Sequence, residues 1–417
     1  MTVQRNVTAA ETGHHVPAID GIRGLAVLMV MIHHDFVVII QTHAQKIAFD
    51  ILSTGWIGVE LFFVLSGFLI TGILLDTKRE PHYFRNFYAR RVLRIFPLFY
   101  LLAVFSFVVL PHLPLPPIKA GRFNSVGSDQ WMYWTFLVNV AIAKVNLYRH
   151  GIMDVAWSLS IEEQFYLLWP LIVLGLRRRT LMIMCAFIIA GSPLLRLAAW
   201  ELGFTGKQIY VLTPFRLDGL AAGALLAGLV RSSGRDRLVT SRNASIVAAV
   251  GLVLFIGSVV IAGDPESEGR LVSIVGCSGA AIASLGLLSL TLSLPARSRL
   301  IGFFSSGAMR MFGKYSYALY LVHLPLRALV RDRFLKPEQF GQWPGGVFVA
   351  QTVFDIVSIA LALAVAIASW YIIERPALSL KRFFPNVERP EAGRGSMPVS
   401  SEAYCVPASP LGHTTTG

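Results

Sequence analysis

Arg23 and His34 stand eleven residues apart in an otherwise apolar run, Gly21 to Ile40. At about 100° and 1.5 Å per residue, eleven steps of an α-helix return to within about 20° of the starting face, roughly 16 Å further along the axis. The two side chains therefore share a stripe. With Arg23 at the cytoplasmic edge of a hydrocarbon slab about 30 Å thick, His34 falls near mid-depth, where an ionisable group is costly enough to need a reason. An imidazole titrates near neutrality and stays mostly neutral in apolar surroundings, so it suits the removal of a proton from a hydroxyl. His34 is the candidate general base. Arg23, a planar guanidinium, suits a clamp on phosphate or carbonyl oxygens. Each has a plainer reading: a polar side chain satisfied between helices for His34, and a membrane-surface anchor for Arg23.

Other polar groups compete for roles. His33, about 80° off the stripe, and Asp35 are less well placed, although Asp35 can orient an imidazole from a neighbouring chain position. Arg91 and Arg94, three apart at a helix start, put two cations on one face for phosphate charges, although basic residues there also serve as topology determinants. Glu162 and Glu163 fall on different faces at the start of an apolar run. Glu163 can hydrogen-bond an acceptor hydroxyl or an arginine, with Trp157 as a sugar-stacking surface. The alternative is helix-start capping by Ser158 or Ser160, with the acids favoured by the dipole. Arg216 with Asp218, His323, and Glu374 with Arg375 read as structural ion pairs, interfacial groups or end markers.

The elements that must hold these groups are membrane helices. Of 417 residues 54% are hydrophobic and only 15% charged, and the mean hydropathy of +0.60 excludes a soluble fold. The expected fold is all-α and polytopic, with about ten transmembrane helices at about 20 residues each. The spans are Gly21–Ile40, Trp56–Leu75, Ile95–Leu110, Trp157–Leu176, Leu181–Ala199, Tyr210–Val230, Ile246–Ala262, a return span, Tyr315–Val330 and Val347–Ile373. The aromatic stretch Trp131–Ala143 is too short to cross and is expected to be re-entrant or interfacial. Asp20 is the expected N-cap of the first span. The small-residue run GLAAGALLAG lies inside a span and predicts close helix packing, not a phosphate loop.

The formal charge of +13 sits mostly in short connections, as orientation signals do, and predicts no nucleic-acid partner. One orientation, with both termini cytoplasmic, places nearly every basic cluster inside. Arg327, Arg331 and Arg333 are the exception. The polar first fifteen residues lack a small-residue cleavage site, so the first span is expected to be retained. A transmembrane domain is expected over 16–377, followed by a disordered tail over 378–417, where the composition turns to Pro, Ser, Thr, Gly and charge. Three cysteines without paired spacing predict neither a disulfide framework nor a metal site, and no fixed-period repeat supports an inverted-repeat transporter.

The segments AIDGIRGLAVLMVMIHH, GWIGVELFFVLSGFLIT, YARRVLRIFPLFY, WSLSIEEQFYLLWP, FRLDGLAAGALLA, YSYALYLVHLPL and YIIERP occur in this order from about Asp20 to Pro376. Together they resemble the motifs of the acyltransferase family 3 membrane proteins, in which an Arg, ten intervening residues and a His occupy the first span. The resemblance implies transfer of acyl groups, usually acetyl from acetyl-CoA, to hydroxyls of glycans or small molecules, in the inner membrane and without a metal. It implies that Arg91 and Arg94 hold the nucleotide end of CoA at the cytoplasmic surface while the pantetheine arm reaches His34. Direct transfer and a transient acyl-histidine are both allowed. No esterase-like domain is expected after YIIERP. The rivals are a multi-pass transporter using His34 and Arg23 for proton or anion movement, and a membrane scaffold or sensor.

Overall fold

Backbone amides have no water partners in hydrocarbon, so a chain this apolar either closes a barrel or coils its spans into helices. A computed structural model describes residues 16–35, 42–112, 127–232, 238–343 and 346–385, and among these all regular structure is helical. One long helix falls on each expected span. They are α1 (Pro17–Asp35), α2 (Ile57–Asp76), α3 (Tyr83–Val104), α4 (Trp157–Gly175), α5 (Arg178–Glu201), α6 (Leu217–Val230), α7 (Ser241–Ala262), α8 (Cys277–Ser293), α9 (Gly307–Arg333) and α10 (Gly346–Ser369).

Among the described residues, six helical segments are long and apolar enough to cross a membrane: 43–76, 83–112, 178–201, 241–262, 272–293 and 346–383. These contain α2, α3, α5, α7, α8 and α10. Of the other four, α6 has only 14 residues, while α1, α4 and α9 carry charged and polar side chains, several of them at the site described below. Polar content lowers their apolarity for the same reason that it makes them useful.

Helix α1 begins with Pro17, whose fixed φ and missing N–H suit the first helical position. Asp20 is thus inside the first turn and not the N-cap, and residues 36–40 of the expected first span lie outside the described residues. The third helix starts at Tyr83, twelve residues before the expected Ile95, because the basic run Arg85 to Arg94 is rich in Arg, Ala and Leu and holds no Gly or Pro to break it. The aromatic segment forms two short helices, Gln130–Trp134 and Val138–Val145. Phe136, at φ 55°, breaks the path between them, and its ring stacks on Phe99 at 4.3 Å.

Two close crossings set the frame. Between α1 and α9, a Cβ on Gly24 would lie 2.2 Å from the Met309 carbonyl oxygen, and one on Gly313 would lie 1.8 Å from that of Asp20. Between α2 and α6, Gly67 meets the Leu220 carbonyl and Gly223 that of Val64, each at 1.9 Å from an added Cβ. The run around Gly223 therefore does serve close helix packing.

Past α10 the chain continues through a π-helical turn, Trp370–Glu374, a short helix, Arg375–Ser379, and a 3₁₀ turn, Leu380–Phe383. The ordered body thus runs beyond residue 377, where a disordered tail was expected to begin. It is tied to α3: Arg90 donates to the Phe384 carbonyl at 2.9 Å, and Asn86 to that of Pro385 at 2.8 Å. The rest of the tail, from residue 386, lies outside the described residues.

Candidate functional site

Helices α1, α2, α3, α4 and α9 enclose a cavity of about 280 Å³. Its lining carries four cations, Arg23, Arg91, Arg94 and Lys381, against one carboxylate, Glu162. Arg23 reaches across the α1–α9 crossing and donates to Ser316 Oγ at 3.2 Å. Arg91 and Arg94, one turn apart on α3, face the same space, and the Arg91 guanidinium lies 5.5 Å from the Tyr166 ring centroid. Tyr166 donates to Glu162 Oε2 at 3.0 Å, and its hydroxyl also contacts that of Ser66. The remaining wall is largely apolar, from Val59, Phe62, Leu69, Ile70 and Ile95. Four positive charges gathered in apolar surroundings form a receptor for a polyanion, since their mutual repulsion is relieved when phosphate oxygens enter.

Towards the other end of α1 stands a histidine pair. His34 Nδ1 lies 2.9 Å from the Val30 carbonyl oxygen and 3.2 Å from His323 Nε2, and His323 Nδ1 lies 2.8 Å from the Tyr320 carbonyl oxygen. His323 is buried and His34 only partly so. His34 does not line the cavity. The wall element nearest to it along α9 is Tyr320, one turn before His323, whose hydroxyl contacts Ser158 and donates to the Val155 carbonyl at 3.1 Å.

Of the residues singled out from sequence, Arg23, Arg91 and Arg94 are thus brought together, and His34 lies further along α1, outside the cavity lining. Glu163 is left out. It sits on another face of α4, one of its oxygens buried without a hydrogen-bond partner, while Glu162 takes the place in the cavity. A stripe of polar residues at helical spacing, Ser158, Glu162 and Tyr166, is the signal for which carboxylate faces the cavity. The same signal runs along α9 through Ser316, Tyr320, His323 and Arg327. Lys381 had no such signal, because it joins the site from a 3₁₀ turn far along the chain.

The other sequence candidates divide. Arg216 and Asp218 are ion-paired, but not with each other: Arg216 meets Glu60 at 2.5 Å and Asp218 meets Arg196 at 2.9 Å, all fully buried. Cys277, buried in the core, accepts from Arg216 at 2.9 Å. Ser158 and Ser160 make no helix cap; Ser160 bonds back to the Ala156 carbonyl. Trp157 is buried against Tyr210, with ring centroids 4.8 Å apart, and offers no open stacking face. His323 is no end marker, since it touches His34. Arg327 now has an explanation: it faces buried Asp35 of α1 at 3.7 Å, while Arg331 pairs with Asp332. Asp35 meets this arginine, and its backbone carbonyl accepts from Gln351 of α10 at 3.0 Å.

Comparison with known proteins places this geometry. O-acetyltransferase OatA of Staphylococcus aureus is 27% identical over 378 residues, which cover 87% of this chain and 57% of the relative. Peptidoglycan O-acetyltransferase OatA of Listeria monocytogenes is 28% identical over 328 residues, 76% of this chain and 50% of its own. The putative peptidoglycan O-acetyltransferase YrhL of Bacillus subtilis is 28% identical over 332 residues, with the same coverage. The chain thus spans between half and three-fifths of the length of these curated relatives. No solved structure matches. The acyltransferase domain model matches residues 16–374, from the start of α1 to the end of the π-helical turn, and the chain belongs to the acyltransferase 3 family.

Proposed function

We propose that this membrane protein is an O-acyltransferase that moves an acyl group, most simply acetyl, from cytoplasmic acyl-CoA to a hydroxyl of a cell-envelope glycan. The observation that carries the reading is the cation-lined cavity, lying on the same helix stripe as the His34–His323 pair. Acyl-CoA supplies an activated carbonyl and a thiol leaving group. Arg91, Arg94 and Lys381 hold its phosphates, Arg23 closes the receptor from α1, and the apolar part of the cavity takes the pantetheine arm. The eleven-residue rise from Arg23 to His34, roughly 16 Å, assigns Arg23 to the phosphate end of the donor and not to the reacting carbonyl.

At the reacting end His34 accepts the proton of the acceptor hydroxyl as its oxygen bonds to the acyl carbon. The C–S bond then breaks, and the departing sulfur recovers the proton from the imidazolium. The acceptor comes from the far side of the inner membrane, and the basic connections favour both termini on the cytoplasmic side with the donor. Two relatives bear the name of peptidoglycan acetyltransferases, which supports a glycan acceptor here.

The test is transfer of radiolabelled acetyl from acetyl-CoA to glycan fragments by protein purified into nanodiscs. Transfer by the wild type and its loss in His34→Ala is the expected result. Undiminished transfer by His34→Ala sinks the mechanism. Flux of a solute into sealed vesicles without acyl-CoA, together with no transfer, replaces the enzyme reading with a transporter.

A further inference from the structure

We infer that His323 is the positioning residue that fixes the tautomer of His34, leaving His34 Nε2 as the nitrogen that takes the proton. The argument rests on the reading of His34 as the base and starts from what a carbonyl can do, which is only to accept. His323 Nδ1 lies within hydrogen-bond distance of the carbonyl oxygens of Tyr320, at 2.8 Å, and Leu319, at 3.2 Å, so Nδ1 carries the proton. In a neutral ring its Nε2 then has a lone pair and no proton. That lone pair faces His34 Nδ1 at 3.2 Å, and the same His34 Nδ1 faces the Val30 carbonyl oxygen at 2.9 Å. Both partners of His34 Nδ1 are acceptors, so His34 Nδ1 is the protonated nitrogen. Nε2 is left bare, on the side of the ring away from both partners.

The same contacts stabilise the ring once Nε2 is protonated, because the Nδ1–H of the imidazolium donates more strongly to His323 Nε2 and Val30. His323 thereby does for His34 what an orienting carboxylate does for other catalytic histidines, without bringing a second full charge into an apolar region. The pair is held by the glycine-spaced α1–α9 crossing, and the chain separation of 289 residues makes it a product of helix packing alone. The His33 ring, 4.9 Å from that of His34, and Arg327, paired with Asp35, also face the pair.

Three readouts test this. In wild-type protein with ¹⁵N-labelled histidine, NMR is expected to show neutral His34 protonated at Nδ1; protonation at Nε2 overturns the inference, whatever the activity. His323→Leu removes the acceptor and is expected to lower kcat about 100-fold with the donor KM within about twofold, while His323→Gln, whose Oε1 can accept in place of Nε2, keeps kcat within about tenfold of wild type. Equal losses in the two variants, or an unchanged kcat in His323→Leu, overturn it. His34→Ala separates the two levels: loss of transfer there with full activity in His323→Leu sinks the positioning role alone, whereas full activity in His34→Ala sinks the general base itself. If His323→Leu does not fold, the Gln variant and the wild-type spectrum still decide.

Discussion

Substitution of Gly313 by alanine tests whether the α1–α9 crossing sets the geometry of the donor site. An added Cβ would lie 1.8 Å from the Asp20 carbonyl oxygen, whereas ordinary contact begins near 3.4 Å, so the helices must part by about 1.6 Å. Helix backbone on both sides leaves no flexible side chain to yield. Moved as rigid bodies, they stretch the 3.2 Å bond from Arg23 to Ser316, three residues beyond Gly313, to about 4.8 Å, outside hydrogen-bond range. A hydrogen bond to a charged group contributes about 1.5–3 kcal/mol, so a misplaced Arg23 is expected to raise the donor KM by roughly tenfold or more. Overpacking adds a loss of about 1–3 kcal/mol in stability. The assay is acetyl-CoA KM in nanodiscs beside thermal unfolding of the same preparation. Gly257→Ala is the control: its Cβ meets nothing within 4 Å, and replacing a mid-helix glycine of α7 is expected to be neutral or stabilising by about 0.5–1 kcal/mol. A Gly313→Ala protein with wild-type Tm and donor KM refutes the reasoning, as does an equal loss in the control.

Other perturbations separate neighbours that sequence alone could not rank. Glu162→Gln is expected to change the donor KM, because it removes the only carboxylate among the four cavity cations, whereas Glu163→Gln leaves it unchanged; kinetics of the two variants with acetyl-CoA check this. Lys381→Met, which deletes one of those cations without touching α1 or α3, is expected to raise the donor KM several-fold and to flatten its dependence on salt, as measured over a series of ionic strengths. Glu60→Gln leaves Arg216 buried and without its charge partner, at a cost of about 3–5 kcal/mol. Thermal unfolding is expected to show that loss and its partial recovery in the Glu60→Gln/Arg216→Met double variant.

The apolar membrane character, the all-helical class, the approximate place of most long helices and the presence of Arg23 and His34 on one helix were legible in the sequence, because each depends on composition or on spacing between near neighbours. The pairing of Arg91 with Arg94 on one helix face was legible for the same reason. Which of Glu162 and Glu163 enters the cavity, the recruitment of Lys381, the meeting of His323 with His34 and the partner of Arg327 were decided by tertiary structure. These contacts join residues hundreds of positions apart, 293 in the case of Arg23 and Ser316. Helices apolar around most of their circumference carry little record of which side faces a neighbour. Their rotation and separation are set by close fits such as Gly24 and Gly313 between α1 and α9, and only that packing brings the charges of α1, α3, α4 and the 3₁₀ turn at Lys381 to one cavity.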